Sequence, residues 1–385
     1  MLGRGRFLAP KLNRRARETW AQDIFSTFPD YELFEWDFKS LSRSGPPSDA
    51  DVDRMTDPSL LDKLRINDAK IFFYTGGEHL FSYAERDGQD WDLLIRLAPL
   101  LAGHRSKKKV VILPATFGPF ETPFARRLAV RMLEATDVLA VRDLKSQETI
   151  GDLMGSRPPY GLDPAFFISP GKVRSLAPVP LTANLIMRLD HFGLRTGAAA
   201  SKQRAQELEL NGYQEARSYQ IHREVAAKLL LSGVKIRLFV QCLADDAPAR
   251  SLLAELDDRF PGQVELKKPT SPESFISELG GGHITLTSRF HGAIFSLLAS
   301  RQAVALYFDD HGHKMPGLFD ALGMSRFCFN ASHEDPQTIA DMCCRAMDEY
   351  QGRDAQIDAL LASLRLHTIA IFADHMPKIQ RQPPL

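Results

Sequence analysis

The stretch TLTSRFHGAIFSLL, residues 285–298, decides how this chain of 385 residues is interpreted. An apolar strand ends at Ser288, Arg289 and His291 follow at once, and Gly292 begins an almost wholly apolar helix. A helix of that composition must be buried, and burial fixes its N-terminus in place. Its free backbone N–H groups and its dipole then favour an anion. The stretch therefore predicts a rigid anion site at the end of a strand.

Arg289 and His291 suit an anionic substrate for different reasons. A guanidinium offers a planar, bidentate fork to phosphate or carboxylate, and an imidazole can carry a proton near neutral pH. The alternative interpretation pairs Arg289 with a structural carboxylate and makes His291 a helix cap. The coincidence of a cation, an imidazole and a glycine at one strand end favours the functional interpretation.

Strand and helix patterns alternate along most of the chain. Compact apolar runs predict strands covered on both faces at residues 69–74, 109–113, 137–141, 181–187, 234–240, 284–287 and 303–308. Helical patterns occupy residues 91–102, 123–135, 146–154, 205–231, 247–259, 291–300, 336–350 and 353–375. This alternation predicts an α/β fold with parallel sheets.

A cluster of proline and glycine at residues 168–180 predicts the boundary between two α/β halves. We therefore expect one domain over residues 1–170 and a second over 171–350. The helical segment in residues 351–385 is expected to pack back on the first domain. The polar segment 42–58 is expected to be irregular.

The composition excludes several classes of protein. Lys plus Arg number 48 and Asp plus Glu also number 48, so no surplus of cations favours binding of nucleic acid.

The four cysteines, at 242, 328, 343 and 344, form no C-x-x-C pair, which argues against a structural zinc site and favours a reducing compartment. We find neither a signal peptide nor an apolar run of about 20 residues, and we expect a cytoplasmic location without a transmembrane segment. The basic N-terminal arm is either solvated or in contact with an anionic membrane surface.

Other candidate residues follow predicted strands, where ligands bind in open parallel sheets. Lys314 ends the stretch FDDHGHK, residues 308–314, and is expected to contact an anion; a metal site there is the weaker alternative. Arg142, in VRDLK, either reaches a ligand across the cleft between the domains or pairs with Asp143 or Asp163. Further candidates for substrate binding lie in YTGGE and PATFGPF and at the end of the deciding strand: Gly76, Gly77, Thr116, Gly118, Ser288 and Gly292.

The ordered set of these motifs resembles the polysaccharide pyruvyl transferase family. The resembling pieces run from TGG at 75–77 through TFGPF, VRDLKS and LDPAFF to SRFHG at 288–292 and the segment 308–324. The resemblance implies two Rossmann-like domains that face a cleft, as in GT-B glycosyltransferases. It also implies transfer of pyruvate from phosphoenolpyruvate to two hydroxyls of a sugar, which forms a cyclic ketal.

By the same resemblance, Arg289 and His291 match the Arg-x-His pair of the family's donor site. Lys314 matches the lysine after the next strand, and Arg142 matches the arginine of the VRD segment, meeting the donor from the opposite domain. No metal and no cofactor are expected. A lipid-linked acceptor glycan would bring the protein to the inner face of the membrane. The main alternative function is a glycosyltransferase that uses a nucleotide sugar.

Two features depart from the family's pattern, and both lie in the half that is expected to hold the acceptor. Residues 1–17 contain no Asn-x-Gly-Asp turn, so the first strand is expected to be altered, shortened or missing, with a helix at 17–28. Glu78 stands where the family has a third glycine. The sequence leaves the acceptor sugar and the oligomeric state open.

Overall fold

The structure is a computed structural model that describes residues 5–10, 31–36, 45–64, 66–74, 80–168, 181–189, 198–309, 312–349 and 353–373. Its strands are β1 Gly5–Pro10, β2 Tyr31–Trp36, β3 Ile71–Tyr74, β4 Leu80–Ser82, β5 Lys109–Ala115, β6 Phe117–Phe120, β7 Val138–Val141, β8 Thr182–Ile186, β9 Lys235–Phe239, β10 Val264–Lys267, β11 Ile284–Thr287, β12 Gln302–Tyr307 and β13 Cys328–Asn330. Its α-helices are α1 Asp49–Met55, α2 Ser59–Lys63, α3 Gln89–Arg105, α4 Pro123–Glu134, α5 Leu144–Met154, α6 Ala198–Asn211, α7 Arg217–Leu231, α8 Asp246–Arg259, α9 Pro272–Leu279, α10 Phe290–Leu298, α11 Lys314–Ala321, α12 Pro336–Asp348 and α13 Arg353–Ala373.

The chain divides into two compact units. The first consists of Met1–Ala140, Thr149–Pro159 and Ala370–Leu385, and the second of Val141–Glu148 and Tyr160–Ile369. These boundaries differ from the expected division after residue 170, because the chain enters the second unit at Val141, returns to the first at Thr149 and leaves it again at Tyr160. The segment 169–180, where the boundary was expected, lies outside the described residues.

A parallel six-stranded sheet forms the centre of the second unit. Its strand order is β10-β9-β8-β11-β12-β13, and each strand is parallel to its neighbours. In chain order this is 3-2-1-4-5-6, the order of a Rossmann sheet. The direction in which strands are added reverses between β8 and β11, and this reversal creates a crevice at their carboxyl ends. The α/β fold with parallel sheets is confirmed.

Helix α10 lies against the middle of this sheet and explains why its sequence is so apolar. All four residues of β11 are buried, and so is every residue of α10 except His291. Such a helix has no polar face for solvent, so its position and its N-terminus are fixed by packing.

Two expectations about helices were wrong. The helix expected over 205–231 is two helices, α6 and α7, because Gly212 adopts φ +92° between them and interrupts the hydrogen-bond ladder. The segment 42–58, expected to be irregular, contains α1. The Ser48 hydroxyl accepts a hydrogen bond from the Asp51 backbone N–H, and the Asp51 carboxylate accepts one from the Ser48 N–H; this capping box starts the helix.

The first unit contains smaller parallel sheets. One has the order β3-β5-β7, and two-stranded sheets pair β4 with β6 and β1 with β2. A first strand is thus present at Gly5–Pro10, whereas the helix expected at 17–28 lies outside the described residues. Phe372, from the last turn of α13, packs against Val111, Val138 and Ala140 in this unit.

Most of α13 belongs to the second unit. Ile357 and Leu361 join its core, Thr368 Oγ1 accepts the N–H of Leu162, and the Arg365 guanidinium donates to the Phe166 carbonyl. Within the described residues, Ala355–Ala373 is the one stretch long and apolar enough to cross a membrane by length and composition alone. The expectation that no apolar run approaches this length was therefore wrong, and 22% of this stretch is buried in the protein.

Candidate functional site

The candidate site lies at the carboxyl ends of the central strands of the second unit. Strand β11 ends at Thr287, the chain turns through Ser288 and Arg289, and α10 begins at Phe290. Strand β8 pairs with β11 up to Ile186 opposite Thr287, so the turn stands where the order of the sheet reverses. This is the place at which open parallel sheets bind ligands.

The Ser288–Arg289 turn is held rigidly. The Ser288 hydroxyl accepts the N–H of Arg188 at 2.7 Å and contacts the Arg188 carbonyl at 3.2 Å, which ties the end of β11 to the end of β8. The Arg289 N–H donates to Thr287 Oγ1 at 3.0 Å. Arg289 is the N-cap residue of α10, and its side chain makes no hydrogen bond to the first turn. The N-terminus of the helix is thus positioned without a side-chain cap.

The Arg289 guanidinium is oriented by the loop that follows β9. Its Nη2 donates to Asp245 Oδ1 and to Cys242 Sγ, the latter at 2.9 Å. The Asp245 side chain is 3% exposed, and that of Arg289 is 18% exposed. Arg289 Nε is buried and has no hydrogen-bond partner among the described residues. Buried polar groups are almost always paired in proteins, so this N–H is a candidate donor to a bound anion.

Two further cations surround the ring of Phe290, the first residue of α10. The Arg142 guanidinium carbon lies 4.7 Å from the ring centroid, and Lys314 Nζ lies 5.7 Å from it. Arg142 Nη1 also donates to Asp163 Oδ2 at 2.5 Å. The structure therefore brings Arg142 and Lys314 to the ring of Phe290, at the same helix end as Arg289.

Arg142 reaches this place from within the second unit, so the expectation that it comes from the opposite domain was wrong. The segment Val141–Glu148 belongs to the same unit as Arg289 and His291. Asp143 of this segment lies 3.4 Å from His313 Nε2 in the same unit, and its carboxylate also accepts the N–H of Ser146 at 2.8 Å. Of the alternatives for Arg142, the pairing with Asp163 is present.

His291 is the one exposed residue of α10. Its ring stacks on Phe295 with centroids 6.1 Å apart and meets Phe290 edge-on at 5.6 Å. Protein atoms crowd the ring although the residue keeps a solvent-accessible face, and this desolvation is the main reason that its pKa lies below the usual 6.5. Among the charged neighbours, Asp163 raises the pKa, whereas Arg142, Lys314 and Arg289 lower it. The lowered pKa therefore favours the neutral form of the imidazole.

Gly292 sits against the floor of the crevice. A Cβ added there would lie 2.5 Å from Thr287 Oγ1, 2.9 Å from Ile186 Cδ1 and 3.2 Å from Gln241 Oε1. The close packing of the first turn of α10 therefore requires glycine. Gln241 Oε1 is itself buried and without a hydrogen-bond partner in the described part of the chain.

The remaining sequence candidates lie in the first unit or outside the described residues. Gly76 and Gly77 lie outside the described residues. Thr116 is buried and Gly118 lies in β6, both in the first unit, where a Cβ on Gly118 would contact Thr149 at 2.8 Å. In the ranges that the structure describes, no group of three or more His, Cys, Asp or Glu side chains is arranged to hold a metal ion.

Sequence reasoning missed Gln241, Asp245 and Phe290. The stretch QCLADD directly follows the predicted strand 234–240, so its position at a strand end was the available signal. Nothing in the local sequence links Asp245 to Arg289, which is 44 residues away. Phe290 was not predicted as a site residue because an aromatic residue in an apolar helix is usually part of the core.

Comparisons with known proteins agree with the motifs. A family model described as polysaccharide pyruvyl transferase matches residues 17–310. No curated protein matches the chain.

Solved structures similar to this chain include an O-GlcNAc transferase of Thermobaculum terrenum, at 15% identity and a TM-score of 0.47. The match covers 96% of this chain and 66% of that transferase, so this chain spans just under two thirds of the transferase's length. A glycosyltransferase of Rickettsia africae matches at 10% identity and a TM-score of 0.49, covering 95% and 93%. An ADP-heptose lipopolysaccharide heptosyltransferase II of E. coli matches at 11% identity and a TM-score of 0.43, covering 90% of each chain.

Proposed function

The chain belongs to the polysaccharide pyruvyl transferase family, and from this premise we propose that it transfers pyruvate from phosphoenolpyruvate to two hydroxyls of a sugar. Family membership makes it a polysaccharide-modifying transferase with a glycan acceptor. The proposed donor and the ketal product rest on one observation: Arg142, Lys314 and Arg289 surround His291 at the N-terminus of α10.

The cations match the charges of the proposed donor. Phosphoenolpyruvate carries a phosphate and a carboxylate, and a chain with no net charge can bind it only by concentrating cations locally. Arg289 retains a buried Nε–H without a protein acceptor among the described residues, and Lys314 supplies an ammonium 5.7 Å from the centroid of the Phe290 ring. We assign these groups to the phosphate and the carboxylate of the donor, with Arg142 supporting them.

The proposed reaction balances without a cofactor. The C3 methylene of the donor gains a proton, the first sugar hydroxyl attacks C2, and the bond between C2 and the phosphate oxygen breaks. The second hydroxyl then attacks the same carbon and completes the ketal. One hydroxyl proton ends on C3 and the other on phosphate, which leaves as hydrogen phosphate.

We assign proton transfer to His291. Its lowered pKa favours the neutral imidazole, which adds no positive charge to hold phosphate and is ready to accept a proton from an attacking hydroxyl. Arg289 would stabilise the charge that develops as phosphate leaves.

The test is donor use by the purified protein. Incubation with phosphoenolpyruvate and a panel of galactosides and mannosides is expected to release phosphate and to add the mass of pyruvate less one water to the acceptor. His291→Asn should abolish both signals, whereas the exposed His367→Asn should preserve them. A chelator should leave turnover unchanged. Release of a nucleotide from a nucleotide sugar, with phosphoenolpyruvate inert, would overturn the proposal in favour of glycosyl transfer.

A further inference from the structure

The loop after β9 brings a buried carboxylate to the site, although none of the recognised motifs includes it. Asp245 is 3% exposed, and its Oδ2 accepts the N–H of Cys242 at 3.1 Å. Its Oδ1 accepts a hydrogen bond from Arg289 Nη2. The Asp245 carboxylate is therefore held by its own loop. It in turn holds the guanidinium of Arg289, the N-cap residue of α10.

Arg289 is consequently fixed at both ends of its side chain. Its backbone is held by Thr287 Oγ1, and its Nη2 is shared between Asp245 and Cys242 Sγ. An arginine on its own has many rotamers, and ordering them on ligand binding weakens affinity. Here the ordering is complete before a ligand arrives, and Nε–H remains as a buried donor without a partner in the described residues.

We infer that Asp245 is a positioning residue that orients the Arg289 guanidinium for the donor. This inference rests on the proposed function, since it assumes that Arg289 binds an anionic group. Asp245 itself need not touch the donor. It acts by preorganising the cation, so its loss should weaken donor binding more than it slows the chemical step.

Two adjacent carboxylates provide a matched comparison. Asp246 follows directly in the sequence but pairs on the surface with Arg250 and Lys268. Asp245→Asn is expected to raise the KM for phosphoenolpyruvate on the order of 10-fold, with kcat and the KM for the acceptor changed less than twofold. Asp246→Asn is expected to leave all three constants within twofold. Equal effects of the two variants on the donor KM would overturn the inference.

A second measurement does not depend on catalysis. Phenylglyoxal modifies accessible arginines, and peptide mapping by mass spectrometry follows the rate at Arg289. Asp245→Asn should raise that rate several-fold and Asp246→Asn should not; an unchanged rate in Asp245→Asn would overturn the inference. If Asp245→Asn fails to fold, Asp245→Glu keeps the charge but displaces it, and the same increases in modification rate and donor KM are expected.

A double-mutant cycle separates positioning from general damage. Arg289→Lys removes the planar fork that Asp245 orients, so Asp245→Asn should add little to it, whereas independent effects would multiply and contradict the inference. The proposed function fails separately, if the wild-type chain neither binds phosphoenolpyruvate nor releases phosphate from it. Arg289 modification would then still report on its orientation by Asp245.

Discussion

Arg142 and Arg289 approach the N-terminus of α10 and each pairs with a buried aspartate, but the two pairs differ in exposure. The Arg142 and Asp163 side chains are 3% and 4% exposed, whereas those of Arg289 and Asp245 are 18% and 3% exposed. The first guanidinium is enclosed by protein and covers Phe290. The second keeps a solvent-accessible part beside an anion-favouring helix end. The same pair of residue types is thus closed to solvent in one place and partly open to it in the other.

The two pairs show that a residue can match a family motif and still be held in an ion pair inside the protein. Arg142 occupies the motif position that the family resemblance associates with the donor, yet its guanidinium pairs with buried Asp163 at 2.5 Å. Breaking one side of a buried ion pair leaves an uncompensated charge, which costs far more than the pair contributes. We therefore expect changes at Arg142–Asp163 to appear mainly in stability and changes at Arg289 to appear mainly in kinetics.

The largest expected effect is on stability. Asp163→Asn removes the charge that faces buried Arg142 and also alters the acceptor of the Ala165 N–H, so the free energy of unfolding should fall by about 3–5 kcal/mol. Urea denaturation measures it. The control is Asp341→Asn, which breaks a partly exposed pair with Lys228 and should cost at most about 1 kcal/mol. Similar losses for both variants would mean that burial does not distinguish the pairs.

The next effect is on catalysis. Arg289→Lys keeps a positive charge near Asp245 but loses the bidentate fork, so kcat/KM for phosphoenolpyruvate should fall roughly 10²-fold with Tm close to that of the wild type. Initial-rate kinetics and thermal denaturation measure both. Arg345→Lys, on the exposed side of α12, is the matched control and should change neither. A drop in Tm without a kinetic change would place Arg289 with Arg142 as a structural residue.

The smallest effect is on the pKa of His291. Burial and the three cations hold this pKa below 6.5, and Arg142 is the strongest of the three. Removing a cation raises the pKa, so the acid limb of kcat/KM, where the neutral imidazole is lost as pH falls, should move to higher pH. Arg142→Gln should move it further than Arg289→Gln. NMR titration of the imidazole provides the pKa independently of activity; equal shifts, or a wild-type pKa at or above 6.5, would contradict this assignment.

The buried strands of the fold could be predicted because they are compact and apolar. The predicted runs that became β8, β9, β11 and β12 lie inside the six-stranded sheet and are covered on both faces. Strands β10 and β13 were missed because they form its edges. VELK at Val264–Lys267 and CFN at Cys328–Asn330 are only partly buried and so carry no continuous apolar signal.

The candidate site could be predicted where chemistry coincides with a strand end. This rule selected Arg289, His291, Lys314 and Arg142, and the structure brings these four to one helix N-terminus, while their roles stay predictions. Asp245 was not predicted as a site residue because its partner Arg289 is distant in sequence. In addition, two adjacent aspartates in a polar loop usually indicate a solvated surface. The sequence did not predict the unit to which Arg142 belongs, because the chain crosses between the units more than once. Val141–Glu148 belongs to the second unit, Thr149–Pro159 to the first, and the chain from Tyr160 to the second again.

Gly292 has a consequence for tracing how activity is inherited or lost among related chains. A Cβ at this position would lie within 3.2 Å of Thr287, Ile186 and Gln241, so packing favours glycine there whatever reaction the protein performs. A related chain that had lost its chemistry would still be expected to keep this glycine for packing. A related chain that keeps Gly292 but carries a substitution at Arg289 or His291 should therefore be recognised as one that has lost the activity while keeping the fold.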